Sequence, residues 1–506
     1  MKAAFTFGKT SEKRFRRLVT LILSVAGTGK TWVSACITNL CLLHSIRILI
    51  FAPLHQGLNA LENEIKTVQG VTREVKLDDV YRVDLELGEH LEQRLEANET
   101  QYNESCWQLS QSELNNLLRT RPPNTFRSLL AWIDSRTSSN SPFSLGAHIK
   151  RQLERHCNRA AHWREANPDD HPETVSLSEV MWYHALLENG WSVFDEVPER
   201  ILSEQQQHKN RHVLGFRGAV ASLIRFYITK ARAVFCPVMA SANNAIERFE
   251  PKYILLENAS SMTELVCLNA IARHDSAATK IVLTGDPAQS TIILMSWRYN
   301  EFHRSESVSL FGRLRQMKVP RVHLNSQYRM SPAIHEFVSE AFYFKRRYTF
   351  PDREASTLFQ DVMADKTQCP RGSVYFLSVT QSSVWQQRNT FSIINPEYVC
   401  CVVETVEDLL RGGIQEEHIL ILSEYSEERR VVRQLFEATL GSDSTKKLDI
   451  RSTLSSNGIG KTIVIWSTTR SGVRLGLASI ANRKPQCLAL SRAMYGLIIV
   501  GCWDMH

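Results

Sequence analysis

The stretch that decides the fold is Leu18–Leu43, LVTLILSVAGTGKTWVSACITNLCLL. It opens with a nearly continuous apolar run, Leu18–Val25, which has the length of a buried strand. AGTGKT follows at Ala26–Thr31, and apolar residues then recur at helical spacing as far as Leu43. A second strand-like run comes at Ile48–Ala52. This strand–turn–helix–strand order predicts the start of a parallel α/β sheet.

The turn between this strand and this helix has the composition of a phosphate-binding loop. Glycines let backbone N–H groups approach phosphate oxygens without a Cβ in the way, and a helix N-terminus adds partial positive charge. Lys30 is predicted to reach the β- and γ-phosphates of a nucleotide, and Thr31 to offer its hydroxyl to Mg²⁺. The full pattern is G-x-x-x-x-G-K-[ST], and Ser24 replaces its first glycine. The predicted nucleotide-binding residues of the loop are Gly27, Thr28, Gly29, Lys30 and Thr31.

Two later strand-like runs end in polar residues that suit the same chemistry. Tyr253–Leu256 is followed by Glu257, and an acid at a strand end is how such folds hold the metal. Ile281–Thr284 runs into GDPAQ, whose Gln289 could contact the γ-phosphate. A solvated strand end and a tight Gly-Asp-Pro turn are the alternative interpretations.

Further strand-like runs indicate two α/β sheets, with the change between them near Ser309–Val319. The first sheet gains Ala233–Cys236 besides the two runs above, and the second has Val374–Leu377, Ile419–Leu422, Ile463–Trp466 and Leu497–Val500. Between the two parts of the first sheet, residues 75–215 show polar–apolar stretches at helical spacing with Pro- and Ser-rich breaks. This region is predicted to be a mostly helical insertion.

The composition is that of an ordinary globular protein. The 506 residues are 43% apolar, and 60 Lys and Arg against 53 Asp and Glu give a net charge of +7. That balance is compatible with nucleic acid without demanding it. No apolar stretch is long enough for a membrane helix, and no secretory signal is recognised. The 11 scattered cysteines are predicted to be reduced core thiols of an intracellular protein, in the nucleus or the cytoplasm, and no zinc site is indicated.

The rest of the chain carries longer motifs. They are NSQYRMSPAIHEF at Asn325–Phe337, SIINPE at Ser392–Glu397, ILILSEY at Ile419–Tyr425 and LALSRAMYGLIIVG at Leu488–Gly501. In this order, together with the loop and the two polar strand ends, they resemble the motif series of superfamily 1 helicases. The most similar group is that of the nonsense-mediated-decay RNA helicase. The resemblance extends from Ser24 to Gly501, which is nearly the whole chain.

The resemblance implies an α/β protein with two RecA-like P-loop domains, each built on a parallel sheet, and ATP with Mg²⁺ in the cleft between them. Glu257 and Thr31 would hold Mg²⁺, and Tyr328 would pack on the adenine. Arg329 and Arg492 would act as arginine fingers, because a guanidinium matches phosphate oxygens and stabilises the transition state. For these side chains a buried core tyrosine and helix salt bridges are the alternatives. The implied domains are 1–74 with 216–318, the accessory insertion 75–215, and 319–506.

Tryptophans lie between basic residues in the predicted insertion, and such aromatics can stack single-stranded bases. Core packing is the alternative for most of them. They are Trp107, Trp132, Trp163, Trp182 and Trp191.

Several motifs depart from the family pattern. The family's Asp-Glu after the metal strand is Glu257-Asn258 here, so the acid that positions or activates water is replaced by an amide. The segment D-S-F-Q-G-x-E is reduced to LSSNGIG at Leu454–Gly460, and Glu428 replaces a Gln. No Gln-containing adenine motif precedes Leu18.

These observations leave three hypotheses. The first is an ATP-dependent helicase or translocase that moves on single-stranded RNA or DNA. The second is a catalytically impaired pseudo-helicase that serves as a nucleotide-binding or interaction module. The third is a defective gene product, suggested by the motif losses and by chain ends that look shortened. Neither a membrane nor a particular protein partner is predicted.

Overall fold

The computed structural model describes residues 18–72, 79–83, 141, 143–145, 148, 227–242, 244–247, 249–274, 278–289, 292, 294, 299–317, 319–343, 348–350, 357–386, 392–471 and 482–503. Most of the predicted insertion, with its tryptophans, lies outside these residues.

The first sheet is entirely parallel, in the order β3-β4-β2-β5-β6-β1-β7. Its strands are β1 Val19–Leu23, β2 Ile48–Ala52, β3 Val80–Arg82, β4 Ala233–Pro237, β5 Tyr253–Leu256, β6 Lys280–Gly285 and β7 Arg321–His323. The six strands before β7 are buried along their whole length, as expected for a parallel sheet covered on both faces.

The second sheet is also parallel, in the order β12-β11-β13-β14-β8, and a separate antiparallel pair joins β9 to β10. The strands are β8 Val374–Ser378, β9 Trp385–Gln386, β10 Ile393–Ile394, β11 Ile419–Leu422, β12 Asp449–Arg451, β13 Lys461–Ser467 and β14 Ala493–Gly501.

Helices alternate with the strands of both sheets. In the first half they are α1 Lys30–Leu43, α2 His55–Thr72, α3 Asn244–Glu247, α4 Glu264–Ala272, α5 His303–Glu306 and α6 Leu310–Gln316. In the second half they are α7 Pro332–Phe342, α8 Leu358–Thr367, α9 Pro396–Arg411, α10 Ser426–Thr439, α11 Ser442–Lys447 and α12 Arg483–Leu490. Among the described helices, none has the length and apolar character needed to cross a membrane.

Alternation along each strand divides the apolar side chains between the two faces of a sheet. In β1, Leu21 and Leu23 pack into one core cluster and Ile22 into another. A further cluster joins the two halves of the molecule, because Val25 and Ala26 after β1 pack with residues of the second sheet such as Leu497. The end of β1 is therefore buried against the second half of the chain.

The prediction of an α/β protein with two parallel sheets is confirmed. The first sheet reaches past the predicted domain limits, since β3 lies within 75–215 and β7 follows residue 318. These strands are short, and β7 is partly exposed, so their sequences lack the apolar runs that marked the others. The division of the chain into domains stays a prediction.

The prediction of core thiols is only partly right. All cysteines in the described part of the chain are free, and Cys41, Cys236, Cys267, Cys487 and Cys502 are buried. Cys369 and Cys400, by contrast, are exposed. Cys400 and Cys401 are neighbours on α9, where successive side chains point about 100° apart, so the two cannot both face the core.

A buried carboxyl group lies behind the second sheet. Glu428, on α10, accepts a hydrogen bond from the Asn395 backbone N–H (3.2 Å) and one from the Thr469 hydroxyl (3.0 Å). The neighbouring salt bridge joins Arg430 to Glu427, and the charge of Arg429 acts on Glu428 without a salt bridge between the two among the described residues. Burial raises the pKa of Glu428 above its ordinary value of 4.5, against the effect of these hydrogen bonds.

We expect Glu428→Gln to stabilise the protein increasingly as pH rises. A raised pKa in the folded state gives stability that is present at low pH and is lost as pH rises above about 4.5 through the folded pKa. Glutamine has no such loss, and its amide can still accept from Asn395. Denaturant unfolding between about pH 5 and pH 8 measures the difference. The exposed Glu437→Gln on the same helix is the control, and an equal gain in both variants contradicts the prediction.

Candidate nucleotide site between the two sheets

The loop after β1 has the backbone that a phosphate-binding turn requires. Gly27 and Gly29 both have φ of +77°, a region that disfavours residues with a Cβ, and Gly29 directly precedes α1. The Thr28 hydroxyl donates to the Val25 carbonyl (2.9 Å) and tightens the turn. Backbone N–H groups at the start of α1 thus remain available to an anion.

Ser24 explains how the loop keeps its course without its first glycine. Its backbone N–H (3.2 Å) and its hydroxyl (3.3 Å) both donate to the carbonyl of Gly285, at the end of β6. Ser24 is not among the non-glycine residues of the described regions that have a positive φ. A serine therefore fits this position without strain.

The two predicted metal-binding side chains meet. The Thr31 hydroxyl donates to Glu257 Oε1 (3.3 Å), and Thr284 Oγ1 donates to Glu257 Oε2 (2.6 Å). The Ser34 hydroxyl also donates to Oε2. These hydroxyls position the longer Glu side chain so that one oxygen faces Thr31, an arrangement of hard oxygen ligands that suits Mg²⁺.

Lys30 lies among charged groups from several elements. Burial lowers the pKa of its ammonium, while the carboxylates of Asp286 and Glu257 oppose that change and Arg492 and Arg329 add to it. Within the described residues, Lys30 makes no hydrogen bond or ion pair of its own. A polyanion would supply the missing partner.

The predicted arginines converge on Ser491, which precedes β14. Arg492 is 1% exposed and donates to the carbonyls of Leu488 (2.9 Å) and Ile459 (3.1 Å) and to Ser491 Oγ (3.0 Å). Arg329 Nη1 donates to the Ser491 carbonyl (3.4 Å). Gly460 makes room, since a Cβ there would lie 2.6 Å from Arg329 Nε.

Burial lowers the pKa of Arg329 to about 9, with the neighbouring Arg492 adding to the effect. Burial likewise lowers the pKa of Arg492 to about 10. Both guanidinium groups remain charged at neutral pH, and neither forms an ion pair with a carboxylate in the described ranges. Together with Lys30 they place three cations in the cleft, beside the carboxylates of Asp286 and Glu257.

Gln289 connects the two sides of this cleft. It is buried, and its Nε2 donates to Ser491 Oγ (2.8 Å), the oxygen that Arg492 also contacts. The predicted γ-phosphate residue therefore lies with the predicted arginines. The 50% exposed Tyr328 lies beside the loop, where a Cβ on Gly29 would be 3.6 Å from its ring. An exposed aromatic ring at the start of α1 can stack a base.

Asn258 has a left-handed backbone, with φ of 56° and ψ of 38°. Its backbone N–H donates to Thr284 Oγ1 (3.1 Å), while its side-chain amide forms no hydrogen bond with a described residue. Asparagine tolerates this conformation better than most residues. The position predicted to have lost its acid is therefore intact in its backbone.

Other residues of the site were not singled out from the sequence. Gln327 is 1% exposed and donates from Nε2 to the Ala26 carbonyl (2.8 Å), while its Oε1 accepts from the backbone of Arg329. Ser34, Asp286 and Ser491 form the contacts described above. Their signal in the sequence is only their position within or just after a motif, because each acts through a partner that is distant along the chain.

Comparisons with known proteins agree with this geometry. Residues 306–504 match a family model described as an AAA domain. A regulator of nonsense transcripts 1 homolog from Drosophila melanogaster is 26% identical over 309 residues, which is 61% of this chain and 25% of that protein. The ATP-dependent helicase upf1 of Schizosaccharomyces pombe is 23% identical over 308 residues, or 60% of this chain and 32% of that protein.

The chain is therefore similar to superfamily 1 helicases of the nonsense-mediated-decay group. It spans a quarter to a third of the length of these two relatives. The fold also resembles a solved arterivirus nonstructural protein 10 (helicase), with 9% identity, a TM-score of 0.35 and coverage of 97% of this chain and 60% of that one. That similarity is too low to add to the argument.

We expect Gly27→Ala to destabilise the loop. The φ of +77° strains a residue with a Cβ, and that Cβ would overlap the Gln327 side chain and lie 2.7 Å from Arg329 Cβ. The expected loss in unfolding free energy is about 1–3 kcal/mol. Denaturant titration measures it, with Gly57→Ala on α2 as the control, where the nearest atom is 3.4 Å away. Equal stability of the two variants contradicts the prediction.

Proposed function

We propose that this protein binds ATP with Mg²⁺ between its two sheets and couples hydrolysis to movement along single-stranded RNA or DNA. The observation that carries the proposal is that Lys30, from the loop after β1, lies within electrostatic range of Arg329 and Arg492 from the second half of the chain. Cations from both sides of a cleft are what phosphoryl transfer needs to stabilise charge on the transferred group.

The residues present fit Mg²⁺. Thr31 and Glu257 place a hydroxyl and a carboxylate oxygen 3.3 Å apart at the start of α1. When bound there, the ion would neutralise charge on the β- and γ-phosphates. Lys30 and the backbone N–H groups of the loop would orient the phosphates, and Gln289 would respond to the γ-phosphate from across the cleft.

The names of the relatives favour nucleic acid as the partner, and contacts between the sheets favour coupling of its binding to the nucleotide. The relatives are named as regulators of nonsense transcripts and as an ATP-dependent helicase. Contacts between the sheets pass through the nucleotide site itself, at Gln289–Ser491 and Gln327–Ala26, so occupancy of the site can change how the two halves meet. The free thiols of the described cysteines support an intracellular location.

We expect purified protein to hydrolyse ATP faster in the presence of single-stranded RNA or DNA. Nucleic-acid binding should weaken with salt, because phosphate contacts release counterions. Steady-state hydrolysis with each nucleic acid tests this, beside Lys30→Ala, which should lose nearly all turnover by removing the cation that reaches the phosphates. Turnover in wild type no higher than in Lys30→Ala contradicts a working motor.

A specific observation favours a second function, a pseudo-helicase that binds nucleotide with little turnover. Asn258 occupies the place of the acid that would position or activate water, and an amide is not a base at neutral pH. Loss of a general base typically reduces a rate by about 10²–10⁴. The nucleotide-binding contacts around Lys30 and Glu257 do not depend on this side chain.

Asn258→Glu should raise hydrolysis by about 10-fold or more if the missing acid limits the reaction. The expected gain in rate is smaller than the full effect of a general base, because glutamate adopts a φ of 56° less readily than asparagine does. Asn258→Gln is the matched control, being of the same size without the acid. Equal rates for the two variants would show that this position does not limit turnover.

A further inference from the structure

One tyrosine of the second half of the chain touches three groups of the site. Tyr343 directly follows α7 and is 7% exposed. Its hydroxyl donates to Asp286 Oδ2 (2.7 Å) and accepts from the Ala26 backbone N–H (3.4 Å) and from the Cys487 thiol (3.2 Å). A hydroxyl has one donor and two acceptor positions, so all of them are used.

The partners come from both sides of the cleft. Ala26 lies in the phosphate-binding loop and Asp286 follows β6, both in the first half of the chain, while Cys487 lies on α12 in the second. Asp286 receives a further hydrogen bond from the Ala288 backbone N–H (3.1 Å). Its carboxylate is also the nearby charge that most favours the ammonium form of Lys30.

We propose that the Tyr343 hydroxyl is a positioning group, which docks the second half of the molecule on the phosphate-binding loop and holds the Asp286 carboxylate toward Lys30. The proposal rests on the proposed function for its effect on hydrolysis. The docking itself does not require turnover, so it is tested separately.

The groups around Asp286 determine the pH at which its carboxyl group gains a proton. Burial raises the pKa of this carboxyl group, while Lys30, the Tyr343 hydroxyl, the Ala288 N–H and Arg492 oppose the rise. Cys487 also lies near, and burial raises the pKa of its thiol to about 12, so it is neutral. Removing the hydroxyl takes away one opposing group, and Asp286 then gains its proton at a higher pH than in the wild type.

The matched pair of variants is Tyr343→Phe and Tyr375→Phe. Tyr375 is equally buried at 7%, and its hydroxyl accepts from the Gly372 N–H (2.9 Å) and donates to the Pro370 carbonyl (3.2 Å), away from the cleft. Both variants lose a buried hydroxyl with two or more hydrogen bonds. Only the first loses contacts with the loop and with Asp286.

Hydrogen–deuterium exchange on the nucleotide-free protein tests the docking. In Tyr343→Phe, peptides spanning Ala26 and Asp286 should exchange about 5-fold faster, the effect of losing a hydrogen bond of about 1 kcal/mol. Tyr375→Phe should leave these peptides unchanged. Unchanged exchange in Tyr343→Phe, or the same increase in both variants, overturns the proposal. If Tyr343→Phe does not fold, Asp286→Ala, which removes the acceptor of the Tyr343 hydroxyl, should speed exchange at Ala26, and its failure to do so counts equally against the docking.

The pH profile of hydrolysis tests the effect on the site. For Tyr343→Phe we expect the fall in rate at low pH to begin at a higher pH than in wild type, because Asp286 is protonated sooner. Tyr375→Phe should keep the wild-type profile. Identical pH profiles for all three proteins contradict a role of the Tyr343 hydroxyl in hydrolysis. If the wild type has no turnover at all, the proposed function fails, and the exchange experiment alone decides the docking.

Discussion

The phosphate-binding loop is held in place by the segment that leads into the second half of the molecule, and the rest of the site depends on that contact. The backbone N–H of Tyr328 donates to the Gly27 carbonyl (2.8 Å), and the Gln327 amide donates to the carbonyl of Ala26 (2.8 Å). Apolar packing of Val25 and Ala26 with residues of the second sheet adds to this. Since the loop carbonyls are used for docking, the N–H groups on its other side can face an anion.

Charge explains why this docking matters. Three cations, Lys30, Arg329 and Arg492, lie in a buried cleft with the carboxylates of Glu257 and Asp286. Burial of these charges raises the free energy of the empty site, as the lowered pKa values of both arginines show, and for Arg329 the nearby charge of Arg492 adds to the effect. Binding of a polyanion recovers part of that free energy.

The sequence predicted the strands with long apolar runs and the residues inside recognisable motifs. Tyr253–Leu256 and Ile419–Leu422 have the bounds expected, and Lys30, Thr31, Glu257, Gln289, Arg329 and Arg492 lie in one cleft. Short strands such as β3 and β12 were not predicted, because three residues are too few to show a periodic pattern. The roles of Gln327 and Asp286 were not predicted for another reason. They depend on partners such as Ala26 and Tyr343, which are close only in the folded chain.

The losses in the motifs are unequal in their structural effect. Ser24 replaces a glycine at a position where φ is not positive, so the backbone needs no glycine. Glu257 is longer than aspartate, but the hydroxyls of Thr284 and Ser34 donate to its Oε2, and its Oε1 accepts from Thr31. Asn258 keeps the left-handed turn that leads the chain from β5 into the site, and it changes only the chemistry of one side chain. The substitutions therefore conserve the geometry for binding phosphate and concentrate the loss on the activation of water. Under the proposed function, binding and turnover are therefore separable in this cleft, and the protein can retain the first while the second declines.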